Sequence, residues 1–77
     1  MITGGQIRAG RAFAKLSAAE LAQLARLARM TIVKAESVDG VPAVTGANLF
    51  SIQRALEEAG VVFGPDGGVN YRPPTTE

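Results

Sequence analysis

The 77-residue sequence predicts a mainly α domain in which four short helices are followed by a C-terminal β-hairpin. Three observations carry this. The stretch from Ser17 to Glu36, SAAELAQLARLARMTIVKAE, reads as two short helices with a tight turn between them. Leu49, Ile52, Leu56 and Ala59 recur at helical spacing and stop at Gly60, a good residue for the position just beyond a helix end. Two runs rich in β-branched and aromatic residues, Val61–Phe63 and Val69–Arg72, flank the turn sequence Gly64-Pro65-Asp66-Gly67-Gly68.

Taken in order, residues 1–4 form a short cap with Thr3 as a candidate N-cap. Gly4 and Gly5 lower helix propensity, so the first helix is expected from about Gln6 to Lys15. Ile7, Arg11 and Ala14 share one face, which Ala12 and Leu16 extend. An arginine in that stripe needs a partner, because an unpaired buried charge is costly. Ser17 and Glu20 make a capping box for a second helix over Ala18–Leu24, with Leu21, Ala22 and Ala25 on its apolar face. After a break near Arg26, a third helix over Ala28–Ser37 buries Ile32 and Ala35, with Leu27 at its start. Its outward positions are Arg29, Met30, Thr31 and Lys34. A short helix with such a basic, polar face suits the DNA major groove, and the same pattern also fits an ordinary core helix with a solvated side.

Asp39-Gly40 and Pro42 mark residues 38–46 as a loop. The fourth helix starts near Thr45–Ala47 and turns Gln53, Arg54, Glu57 and Glu58 outward, while Phe50 suits either the loop or an interface. A two-stranded hairpin is marginal alone, so residues 61–72 must pack on the helices or pair with a second chain. Pro73 to Glu77 is expected to fray. The domain organisation is thus a helical domain over 1–60, a hairpin over 61–72 as a candidate dimerisation element, and a tail over 73–77.

Composition narrows the function. With neither cysteine nor histidine, disulfides, Cys/His zinc sites and histidine acid–base chemistry are excluded. Ser17 is a cap with no base beside it, and Gly64–Gly68 lacks the Gly-Lys-Ser/Thr ending of a phosphate loop, so no enzyme and no cofactor are expected. No apolar run spans a bilayer and the N-terminus lacks a signal-peptide core, which points to a cytoplasmic protein. The net charge of +1 conceals an asymmetry: residues 1–35 hold six basic residues and one acid, and residues 36–77 hold two basic residues and six acids. A basic half suggests one surface that faces a polyanion. A domain this small is also marginal in stability, and association is a common remedy.

Arg11, Leu16-Ser17, Glu20-Leu21-Ala22, Leu27, Thr31-Ile32, Glu36, Ala55-Leu56-Glu57 and Ala59-Gly60-Val61-Val62-Phe63 occur in an order and spacing that resemble the Cro-like phage-repressor helix-turn-helix family, also called the xenobiotic-response-element family. The resemblance runs from about Ile7 to Phe63. It implies a compact four-to-five-helix lambda-repressor-like domain that binds operator DNA, usually as a dimer, with the second helix supporting and the third reading bases. It also implies a structural ion pair between Arg11 and Glu36. Three positions depart from the family pattern: Arg26 stands where the turn usually has glycine, Ala18 where a glutamine is frequent, and Val38 where a glycine often follows the glutamate.

On this reading the protein is a homodimeric, sequence-specific regulator, a repressor, acting on an inverted-repeat operator. Base contacts are expected from Arg29, Met30, Thr31 and Lys34, with Arg29 leading, since arginine grips guanine in bidentate fashion. Phosphate contacts are expected from the basic Arg8, Lys15 and Arg26, and from Ser17 and Ala28 at the helix starts, with Lys34 able to serve either role. Phe50, Val61, Val62, Phe63, Val69 and Tyr71 are the expected dimer residues, the hairpin and the last helix being rival interfaces. The alternative is a protein-interaction module, such as an antitoxin or co-regulator, without strong DNA preference.

Overall fold

The computed structural model describes residues 1–74. Four helices, α1 (Gly4–Ala14), α2 (Ala18–Ala25), α3 (Arg29–Glu36) and α4 (Gly46–Glu58), precede two strands, β1 (Val61–Phe63) and β2 (Val69–Tyr71). The chain is mainly helical, and the four helices and hairpin occur in the order expected from its sequence. The tail expectation for residues 75–77 lies outside the described residues.

The largest departure is at the start. α1 begins at Gly4, two residues before the expected Gln6. The Thr3 hydroxyl accepts the Gln6 N–H while the Gln6 side chain accepts the Thr3 N–H, and this capping box offsets the low propensity of the two glycines. Gly4 is there for space. A Cβ at that position would collide with the Val38 and Ala35 carbonyl oxygens, so only glycine lets α1 approach the end of α3 this closely. The approach is used: the Gly4 and Gly5 N–H groups donate to Gly40 O (2.8 Å) and Asp39 O (3.3 Å). Ile2, assigned to a mere cap, is buried in the core.

Ile7, Leu21, Ile32, Leu49, Ile52, Leu56 and Val61 are the largest fully buried side chains, so every helix and β1 contribute to one core. The Arg11–Glu36 pair joins α1 to α3. Arg11 donates from Nε to Glu36 Oε2 (2.8 Å) and from Nη2 to Glu36 Oε1 (2.9 Å), while its Nη1 donates to Leu16 O (3.1 Å). The hydrogen bonds to Glu36, with its charge, raise the Arg11 pKa against the opposing effect of burial. The arginine in the apolar stripe is therefore fully partnered.

The hairpin packs on its own helices. β1 and β2 are antiparallel with Val62 opposite Asn70. Val61 is 2 % exposed inside the core, and Phe63, Val69 and Tyr71 lie half-buried against it. Gln6 Nε2 donates to Gly68 O (3.3 Å), and the Phe13 and Tyr71 rings stack with centroids 6.2 Å apart. The turn at Gly60 has φ +107°, and its carbonyl accepts the Arg72 N–H at 2.7 Å. The boundary at residue 60 thus separates helix from strand, not one core from another.

Replacing Glu36 by alanine is expected to leave Arg11 unpaired against α3. The loss should be about 1.5–3 kcal/mol, the range of hydrogen bonds to charged groups. It should fall short of the ~3–5 kcal/mol of a fully buried pair because the two side chains keep 28 % and 11 % exposure. Urea unfolding measures it; a loss below ~0.5 kcal/mol would make the pair an ordinary surface contact.

Candidate nucleic-acid interface

The candidate interface comprises α3 and the turn that precedes it. α2 ends at Ala25, and Arg26 takes the left-handed conformation with φ +59°. Its N–H donates to Gln23 O (3.2 Å) and the Leu27 N–H to Ala22 O (2.9 Å), the paired bonds of a left-handed helix terminus. The turn therefore keeps the geometry glycine would give, with arginine in its place. Lys15 repeats the device at the end of α1, with φ +58° and the Leu16 N–H donating to Arg11 O (3.0 Å). Each placement costs about 1 kcal/mol or more in backbone strain, partly offset because a cation at a helix C-terminus is favoured by ~0.3–1 kcal/mol.

The start of α3 differs from that of the other helices. Thr3, Ser17 and Thr45 cap α1, α2 and α4 through their hydroxyls, whereas Ala28 gives α3 no side-chain cap. In the first turn of α3 the Thr31 N–H donates to Ala28 O (3.0 Å), while no side chain caps the amides at this positive end of the helix dipole, beside the exposed Arg29 and Met30.

At about 100° per residue, the exposed positions of α3 form one arc of about 140°. In angular order these are Arg29, Val33, Met30 and Lys34, with the C-cap residue Ser37 falling between Val33 and Met30, all exposed. Ile32 and Ala35 are buried on the opposite side. Thr31 and Glu36 flank the buried side and are half-buried. Thr31 is thus at the margin of the face on which it was expected to read bases, because its angle brings it next to Ala35. Val33 takes a central place that the residue types do not suggest: a β-branched apolar side chain reads as core, and only the angular spacing between Ile32 and Lys34 reveals it as outward.

The expected phosphate residues separate into two groups. Lys15 and Arg26 are exposed at the helix ends, and Ala28 is exposed at the start of α3. Arg8 is committed elsewhere. Its guanidinium donates to the Glu36 and Val38 carbonyls and pairs with Asp39, which ties α1 to the far end of α3. Position 8 thus faces the C-terminal end of α3. Ser17 is occupied as the α2 cap, its hydroxyl accepting the Glu20 N–H (3.0 Å) and its own N–H donating to the Glu20 carboxylate (2.8 Å). That carboxylate already holds the anion position at the α2 start.

Among the expected dimer residues, Val61 is withdrawn into the core of its own chain. Phe63, Val69 and Tyr71 turn their apolar surface to the same core, whereas Phe50 (64 % exposed) and Val62 stay on the surface. No helix among the described residues is long and apolar enough to cross a membrane.

Arg26→Gly should raise stability by about 0.5–1 kcal/mol in urea unfolding, since glycine adopts positive φ at no steric cost. The same change removes a candidate phosphate contact, so any affinity for duplex DNA should fall while stability rises. A destabilised Arg26→Gly chain would mean that the arginine side chain itself holds the turn.

No family model matches this chain, and no curated protein matches it.

Proposed function

We propose that the protein is a sequence-specific double-stranded-DNA-binding regulator, a repressor, with α3 as the helix that enters the major groove. The observation that carries this reading is the outward arc of α3: Arg29 and Lys34 at its two edges, Arg26 just before its start, and no side-chain cap over its first amides. Arg26, Lys15 and the α3 amides hold phosphates; they supply affinity and register. Arg29, in the first turn, reads a guanine through O6 and N7, and Lys34 reaches either a base or a phosphate one turn further on.

One such helix makes too few contacts for strong selectivity, so two copies act on half-sites about one DNA turn apart. Of the residues expected at a dimer interface, Phe50 on α4 and Val62 on β1 are the exposed ones left for that association. The same exposed residues, together with Leu24 at 54 % exposure, favour the second reading, a module that binds another protein.

Selection from a random duplex pool, followed by binding of the enriched sequence at two salt concentrations, tests the proposal. An enriched inverted repeat with affinity falling steeply as salt rises is the expected result. Absence of enrichment, with tight binding to a protein partner, would replace it by the second reading. Arg29→Ala should cost about 1–3 kcal/mol at one base pair of each half-site and leave most non-specific binding in place. An equal loss on all sequences would reassign Arg29 to a phosphate.

A further inference from the structure

We infer that Val33 and Met30 form an apolar reading couple that selects thymine, through its C5 methyl group, inside the site recognised by α3; this rests on the DNA-binding reading above. Met30 is 61 % exposed and Val33 39 % exposed. On the helical wheel both lie inside the arc whose edges are Arg29 and Lys34, with Ser37 between them. Burial in this chain explains neither side chain, because Ile32 and Ala35 already supply the core contact of α3. Two apolar side chains framed by cations match one surface well. The edges of the face meet the anionic backbone or the guanine acceptors, and its middle meets the one apolar group that the major groove displays, the thymine methyl.

The two residues divide the work by stiffness. Val33 is β-branched, and in a helix its χ1 is held to one strongly preferred rotamer, so its methyls occupy a fixed place over the groove. Met30 is unbranched and adaptable, and it fills the space left around that contact. Arg29 is one helical turn before Val33, so a guanine read by Arg29 is expected to lie within a base step or two of the thymine read by Val33.

Replacing each thymine of the enriched sequence in turn by deoxyuracil deletes only the methyl group. At one position in each half-site the native protein should lose about four-fold in affinity, the equivalent of ~0.8 kcal/mol for one buried methylene-sized group. The Val33→Ser protein, and separately Val33→Asn, neither of which carries a methyl group, should bind the thymine and uracil duplexes with a ratio closer to one at that position. Far-ultraviolet circular dichroism of both variants should match the native chain, since Val33 lies outside the core. If uracil is tolerated everywhere, or if the thymine preference persists unchanged in both variants, Val33 does not read the methyl, while the enriched sequence itself keeps α3 as a DNA-reading helix. If no sequence is enriched at all, the methyl reading and the DNA-binding proposal fall together.

Discussion

The orientation of α3 depends on its junction with α1. Three contacts of different kind meet there. Arg11 clasps both carboxylate oxygens of Glu36, Arg8 gathers the carbonyls at the end of α3, and Gly4 allows backbone to touch backbone. A bidentate guanidinium–carboxylate pair fixes direction as well as distance, which a purely apolar contact does not. The exposed arc of α3 is therefore aimed from its C-terminal end. Its N-terminal end stays free of side-chain caps.

Much of this was legible in the residue types. The Ser17–Glu20 box, the stripe through Leu49, Ile52 and Leu56, and the five-residue connection of the hairpin each have a local physical cause, and local causes leave local signatures. Arg11 was recognisable as a residue in need of a partner, and its pairing with Glu36 was implied by the family resemblance. What was not legible depends on space between distant segments. Gly4 looks like a helix breaker until Val38 is seen to lie against it. Arg8 looks like a free cation until the end of α3 is placed beside it. Val61 looks like an interface residue until the packing of β1 on α1 and α4 is known. Val33 was hidden for a simpler reason: composition says apolar, and only its angle says outward.

Two of the basic residues offered for phosphate sit where the backbone would accept glycine more readily. Lys15 and Arg26 occupy matching left-handed positions at the ends of consecutive helices. A chain selected for stability alone would place glycine at both, so local strain is accepted at two points that share one sign of charge. Such conflicts between local rule and observed residue tend to collect where a surface is used.

The hairpin has a consequence for how the molecule comes into being. Its hydrogen bond from Gln6 to Gly68 spans 62 residues, and Val61 presses on Gly10 in the first helix. The last strand is thus the wall of a core that the first helix begins. A nascent chain emerging from the ribosome holds α1 to α4 with one side of that core open to water, and it closes only once β2 has cleared the exit tunnel. Assembly is then expected to be a single late event, with no helical fragment that holds the shape of α3 on its own.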